Sequence, residues 1–272
     1  MTHTVLITGG TGSFGQAFIK EALKHDVKAI RIFSRGEYLQ WQMQQEFHDD
    51  RLRWMVGDVR DRDRLQACMR GVDIVVHAAA LKHVSTGQYN PQEVIKTNIT
   101  GSVNVVDAAA MAGVKKVLGI SSDKAVHPSC LYGSTKQIME TLFLEANRWA
   151  APKTVLSILR PGNFLESYGN VFEKWDCQAA TGELKLTSEK MRRYFIKTSD
   201  VAKLAVKLLD IMQGKEIFGP KMREYAMVEL LKERYPGCRI KFIGKGPGEK
   251  EREQLFADGE QPIDCGDYWM VK

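Results

Sequence analysis

Short β-branched runs alternate along this chain with segments whose apolar residues recur every three or four positions. The first pattern is that of a buried strand, the second that of a helix packed on one face. Val5–Thr8 is the first such run, and FIKEALKH after it is the first helical segment. The alternation predicts further strands at Ala29–Arg35, Leu52–Asp61, Asp73–Val84, Lys115–Ser121 and Thr154–Arg160, with helices at Glu37–Phe47, Asp63–Met69, Pro91–Gly113 and Tyr132–Trp149. Gly113 suits a left-handed helix cap. Later come helices at Asp200–Met212 and Arg223–Tyr235 and a strand at Arg239–Gly244, while signals are sparse from Gly162 to Lys197 and beyond Pro247. Strand and helix in alternation predict an α/β fold with a doubly wound parallel sheet. The expected division is a core at residues 1–162 and a mixed segment at 163–272 that completes the sheet and forms a small C-terminal lobe.

Composition narrows the picture. With 272 residues and 44% hydrophobic content the chain can bury a substantial core. Its five cysteines, Cys68, Cys130, Cys177, Cys238 and Cys265, form no C-x-x-C pair, which argues against a zinc site and a disulfide framework and for reduced thiols in the cytoplasm. The N-terminal MTHTVLITGG has no basic leader, and no apolar stretch reaches spanning length, so a soluble protein without a membrane partner is expected. The net charge of +6 is spread without a long basic run, which suits a phosphorylated ligand better than nucleic acid.

The first strand-to-helix turn reads GGTGSFG, with Gly9, Gly12 and Gly15 in a G-x-x-G-x-x-G pattern. Glycines at that spacing permit a tight turn, a close backbone approach to a pyrophosphate and helix packing on the strand, which makes the expected sheet Rossmann-type. Thr11, Ser13 and Phe14 fall in the same turn. No Gly-Lys-Ser/Thr follows, so a P-loop is not indicated. At the end of the second strand, Ser34 and Arg35 offer donors and a positive charge suited to a 2′-phosphate, which favours NADP over NAD. Asp58 and Val59 are placed against the adenine, and small Ala78, Ala79 and Ala80 let a flat ligand approach the backbone. His77 and His83 are read as structural or pocket-wall residues and not metal ligands, since no carboxylate or cysteine cluster accompanies them. Asn98 falls within a helix, where an amide is a poor helix former, and is expected to hold backbone near the cofactor and Lys136.

The densest chemistry lies in ISSDKAVHPSCLYGSTKQIME, from Ile120 to Glu140. Ser122, Asp123 and Lys124 follow a strand end, where ligands bind in open parallel sheets. Tyr132 and Lys136, at i and i+4, share one helix face. An ammonium beside a phenol favours phenolate; bringing Tyr132 from about 10 to about 7 requires roughly 4 kcal/mol. Such a set suits removal of a proton from an alcohol.

With TGGTGSFG, a serine ten residues before Tyr132, and YGSTK, the chain resembles the extended short-chain dehydrogenase/reductase superfamily. Within it the chain is similar to inverting UDP-N-acetylglucosamine 4,6-dehydratases of flagellin-glycan and capsule pathways, through FSRGE, GDVRD, AALKHV, YNP, KTNITG, SSDKA, LYGSTK, EIFGPK and PGEK in order. The resemblance implies that Tyr132 takes the sugar O4 proton while hydride leaves C4, and that the C4 ketone acidifies C5–H. Lys124 is then the C5 base and Asp123 the acid for the departing C6 hydroxyl. Lys82, His83 and Asn163 are expected at the substrate, Lys82 also at the cofactor, with Arg192, Arg193 and Lys250 as diphosphate partners.

Several positions depart from the family pattern. Ser122 stands where threonine is usual, Pro161 replaces tyrosine in Arg-Tyr-Gly-Asn, and Tyr168 replaces an arginine; relatives also continue beyond PGEK with a longer tail. Alternatives are an epimerase or 5,6-dehydratase on the same fold, and a non-catalytic NADP-sensing regulator. Apolar Val105, Val106, Ile138, Leu142 and Phe143 on two helices suggest a homo-oligomer, dimer or higher.

Overall fold

The computed structural model describes residues 3–272; Met1 and Thr2 of the first expected segment lie outside the described residues. Along the chain the elements are β1 (His3–Thr8), α1 (Ser13–Ala22), β2 (Val27–Ser34), α2 (Glu37–Glu46), β3 (Leu52–Val56), α3 (Arg62–Met69), β4 (Ile74–His77), α4 (Val84–Tyr89) and α5 (Pro91–Ile95). A π-helical turn at Lys96–Thr100 leads to α6 (Gly101–Ala112), β5 (Lys116–Ile120), a 3-10 turn at Asp123–Ala125, α7 (Leu131–Ala150), β6 (Val155–Leu159), β7 (Asn163–Phe164) and α8 (Val171–Ala179). The remainder is β8 (Glu183–Leu186), β9 (Arg192–Ile196), α9 (Thr198–Ile211), β10 (Ile217–Pro220), β11 (Arg223–Ala226), α10 (Met227–Arg234), β12 (Arg239–Phe242), β13 (Ile263–Asp264) and β14 (Tyr268–Val271).

Nine strands form one sheet in the order β13-β14-β10-β6-β5-β4-β1-β2-β3. The pairings from β10 to β3 are parallel, whereas β14 and β13 join antiparallel. Parallel strands are covered on both faces, which is why β4 is buried at every position. One face packs Phe14 and Phe18 of α1 against Val201 and Leu208 of α9. The other packs Leu65, Val105 and Phe143 from α3, α6 and α7. The order 3-2-1-4-5-6 reverses between β1 and β4, so a crevice opens above their carboxyl ends. This is a Rossmann-type α/β fold.

A third core, containing Phe172, Trp175, Leu184, Phe195 and Leu231, fills the lobe built from α8, α10 and the small sheets. Here the structure corrects the sequence reading. Arg223–Tyr235 is not one helix: β11 pairs antiparallel with β9, its Tyr225 packs edge-on to Phe195, and only then does α10 begin. The run Arg239–Gly244 supplies β12, which pairs with β8 and stays outside the large sheet. The expected helix Pro91–Gly113 is interrupted by the π turn around Asn98 and ends at Gly113 with φ 72°. Among the described residues no helix is long and apolar enough to cross a membrane.

Candidate active site

The glycine turn sits at the reversal point of the sheet. Gly9 has φ +70°, and a Cβ there would stand 2.8 Å from the Ala79 nitrogen; one on Gly15 would lie 2.6 Å from the Gly10 oxygen. Both glycines are therefore required by close backbone approach. Above the turn lies a cleft of about 570 Å³. Gly9, Thr11, Gly12, Ser13, Phe14 and Gly15 form its floor at the start of α1. Ser34, Arg35, Asp58 and Val59 line one end, and Ala78, Ala79, Ala80, Lys82 and His83 the middle. Ser122, Lys124, Tyr132, Lys136 and Asn163 close the other end. Ser34 is buried and accepts from Gln40 Nε2 at 2.9 Å, which leaves its own hydroxyl hydrogen free; the half-exposed Arg35 guanidinium is 3.8 Å from Asp58. Arg60 grips the same carboxylate at 2.6 Å and, against the penalty of burial, holds it below the usual carboxylate range.

At the reactive end, the strand β5 delivers Ser122 into a 3-10 turn. Asp123 is fully buried behind the cleft wall. Its Oδ1 accepts from the Ser122 hydroxyl at 2.9 Å and from Lys124 Nζ at 3.0 Å, while Oδ2 has no hydrogen-bond partner. Its backbone N–H donates to the Pro161 carbonyl at 2.9 Å, so the β6 edge fixes the turn. Lys124 Nζ also donates to Asn163 Oδ1 at 3.2 Å. Lys136 is buried and donates to the Ile120 carbonyl at 2.6 Å. Burial lowers its amine to about 8, although Glu140 one turn later works against the shift.

The phenol does not behave as the sequence suggested. Burial pushes the Tyr132 phenol well above its ordinary value, Asp123 adds to this, and only the Ser122 hydroxyl pulls it down. The chain's own groups therefore hold Tyr132 protonated.

Other expected residues lie elsewhere. Asn98 does not line the cleft: it accepts from Leu81 N–H at 2.8 Å and donates to Leu81 O and Thr135 Oγ1 at 3.0 Å each, fixing the loop after β4 beside Lys136. Arg192 pairs with Glu224 at 3.0 Å on the surface. Arg193 donates to the carbonyls of Lys250, Glu251 and Arg192, and Lys250 donates to the Val126 carbonyl at 2.7 Å. These three cations are outside the cleft because main-chain carbonyls and acidic neighbours already hold them. His77 is buried, takes hydrogen bonds to Thr8 and Ser102, and is driven to about 3 by burial and the nearby Lys136 charge, so it is neutral. Among the helix residues read as an association face, Val105, Val106 and Phe143 pack inside the chain, and Ile138 is exposed.

One cleft residue escaped the sequence reading. Thr97, on the π turn, borders the cleft with a buried hydroxyl that has no partner, and no local pattern marks it. Ser121, which the sequence offers beside Ser122 at the same strand end, also borders the cleft with an unpartnered buried hydroxyl. Tyr168 also crosses the site: its N–H donates to Ser13 Oγ at 3.0 Å and its carbonyl accepts from Lys82 at 2.9 Å. Burial lowers the Lys82 amine.

Arg160, at the end of β6, is almost fully buried. It binds Glu140 of α7 through two hydrogen bonds, at 2.9 and 2.7 Å, and Glu260 through two more, at 2.8 and 3.0 Å. This ties the C-terminal segment to the helix that carries Tyr132 and Lys136.

A reversal-point cleft carrying a serine, tyrosine and lysine on a Rossmann-type sheet defines a short-chain dehydrogenase/reductase-like fold. The chain belongs to the family of polysaccharide biosynthesis proteins, whose sequence model matches residues 5–272. It is 42% identical over 264 residues to a UDP-N-acetylglucosamine 4,6-dehydratase (inverting) of Campylobacter jejuni subsp. jejuni serotype O:23/36 (strain 81-176), covering 95% of this chain and 79% of the relative. It is 37% identical over 280 residues to a UDP-glucose 4-epimerase of Rickettsia prowazekii (strain Madrid E), covering 98% and 82%. Among solved structures, Pen from Bacillus thuringiensis superposes with a TM-score of 0.93 at 34% identity, covering 99% of this chain and 87% of that one. DesIV, a dTDP-glucose 4,6-dehydratase from Streptomyces venezuelae, shares the fold at TM-score 0.83 and 21% identity, covering 93% and 88%.

Proposed function

We propose that this chain is an NADP-dependent nucleotide-sugar 4,6-dehydratase acting on UDP-N-acetylglucosamine, with inversion at C5. The observation that carries the reading is the Asp123–Lys124 pair, a buried carboxyl 3.0 Å from an amine that reaches the cleft shared with Tyr132. The name of the Campylobacter relatives supports it. A nicotinamide dinucleotide suits the cleft, since the glycines of the turn and the small Ala78–Ala80 leave its path open to flat and phosphorylated groups. Held there, a nicotinamide would supply hydride chemistry, as acceptor from sugar C4 and donor to C6.

The chain's residues do the rest. Ser34 and Arg35 hold the 2′-phosphate. Tyr132, which the chain's own groups hold protonated, would lose that proton to solvent once the Lys136 ammonium and the cationic ring of the bound cofactor favour its phenolate, and the phenolate then accepts the O4 proton. Lys124, as the neutral amine, removes the C5 proton that the C4 ketone has acidified, and gives a proton back on the opposite face. Asp123, which does not itself line the cleft, supplies the proton that leaves with the C6 hydroxyl as water by way of the Ser122 hydroxyl, which does line it. The proton taken from O4 balances the one lost with water, and Ser122, which donates to Asp123, stands between the two groups. Thr11, Gly12 and Ser13 meet the pyrophosphate, Lys82 and His83 the substrate beside the cofactor, and Asn163 the sugar.

The protein acts in the cytoplasm as a homo-oligomer of two or more subunits, paired through exposed Val103, Met111, Ile138 and Trp149 of α6 and α7. The Rickettsia relatives favour a second reading, C4 epimerisation on the same site. One experiment separates them. Incubation with UDP-N-acetylglucosamine and NADP in deuterated water is expected to yield a 4-keto-6-deoxy sugar carrying deuterium at C5; a C4 epimer that keeps its C6 hydroxyl would establish the second reading instead.

A further inference from the structure

Beside the main cleft lies a second cavity of about 170 Å³ that shares Leu81, His83 and Tyr132 with it as common walls. Its own walls are apolar Val84, Val94 and Pro247, with Gln88 as a polar neighbour. Lys124 borders the main cleft only. The far wall is firmly built. Ser129 Oγ donates to the Gly248 carbonyl at 2.7 Å, and a Cβ on Gly248, whose φ is +76°, would stand 2.5 Å from the Ser129 oxygen. Lys250 is anchored to Val126 at 2.7 Å, and Arg193 holds the Lys250 carbonyl at 2.8 Å. The PGEK segment and Arg193 thus shape an annex next to Tyr132 and leave no free cation for a diphosphate.

Resting on the dehydratase reading, we propose that this annex receives the substituent at C2 of the sugar, an acylamino group. Tyr132 must reach O4 and Lys124 must reach C5, so the C5–C6 side of the ring faces Lys124. Its other side, C3 then C2, runs from O4 away from Lys124, past Tyr132 to the wall that Lys124 does not share. An acylamino group matches the lining: its methyl meets Val84, Val94 and Pro247, and its amide meets His83 at the shared rim and Gln88 inside the annex. Apolar walls with a few polar groups are the usual make-up of a small-ligand pocket.

The test fills the annex. Val84→Phe, and independently Gln88→Trp on the same short helix, are compared with the unaltered protein in binding UDP-N-acetylglucosamine, UDP-glucose and UDP by calorimetry in the presence of NADP. Both variants are expected to weaken UDP-N-acetylglucosamine tenfold or more, with UDP-glucose and UDP held within twofold. Equal weakening of both sugars, or no change in either, overturns the annex assignment while leaving the dehydratase reading in place. Failure of the unaltered protein to bind either sugar overturns both.

Discussion

Lys124 Nζ stands 3.0 Å from Oδ1 of Asp123, while the other oxygen of that carboxyl is buried with no hydrogen-bond partner. Oδ1 is already held by that amine and by the Ser122 hydroxyl, so the open Oδ2 is the oxygen with room for a proton. The same pair gives the amine a neighbour with which to exchange a proton.

Removing the amine therefore separates the two halves of the reaction. Lys124→Ala is expected to permit oxidation at C4, seen as a rise in reduced-nicotinamide absorbance, and to lower water loss by roughly a hundredfold or more. Dehydration at the normal rate in this variant removes Lys124 from the role of base.

Cofactor choice rests on Arg35. Arg35→Ala is expected to weaken NADP by roughly ten- to a hundredfold, the worth of a charge-assisted hydrogen bond, and to leave NAD within about twofold. Titration of both dinucleotides by intrinsic fluorescence checks it, and equal losses would show that Arg35 does not meet the 2′-phosphate.

Lys136 imposes a pH dependence on stability whose direction follows from burial. The native amine titrates at about 8 and the unfolded one at 10.5, so between those values the unfolded chain binds more protons and stability rises with pH. The burial penalty is full below that window and relieved above it, on the order of 3 kcal/mol at most. Lys136→Met is expected to lose this rise, read from denaturant midpoints of both proteins between about pH 7 and about pH 10; parallel curves contradict it.

Arg160 is the buried charge on which two carboxylates depend. Arg160→Met leaves Glu140 and Glu260 without their cation, and a loss of about 3–5 kcal/mol is expected from chemical denaturation. The triple variant with Glu140→Gln and Glu260→Gln is expected to recover much of it, since no unpaired charge remains. If Arg160→Met alone is neutral, the network does not hold the C-terminal segment.

Strands β1 to β6 of the nine-stranded sheet were legible in the chain because they and their helices carry their own periodicity, whereas β10, β13 and β14 were not read as strands. Val5–Thr8, Lys115–Ser121 and Tyr132–Trp149 come within a residue or two of β1, β5 and α7, since the first two carry short apolar runs bounded by glycine or polar residues and the third repeats apolar residues at helical spacing. The lobe was not legible. β11 reads as helix in isolation, and only pairing with β9 and the contact of Tyr225 with Phe195 make it a strand. The same holds for the cations. Arg193 and Lys250 look like phosphate ligands in sequence, and their use by the carbonyls of Glu251 and Val126 depends on segments more than fifty residues away.

By itself the sequence determined the order of strand and helix, the glycine turn and the spacing of Tyr132 and Lys136, because each depends on neighbours within a few positions. Only the tertiary structure decided that Asp123 is buried with one free oxygen, that Arg160 joins Glu140 to Glu260, and that Tyr132 is held protonated. Those properties arise from desolvation and from partners distant in the chain, which no local pattern encodes.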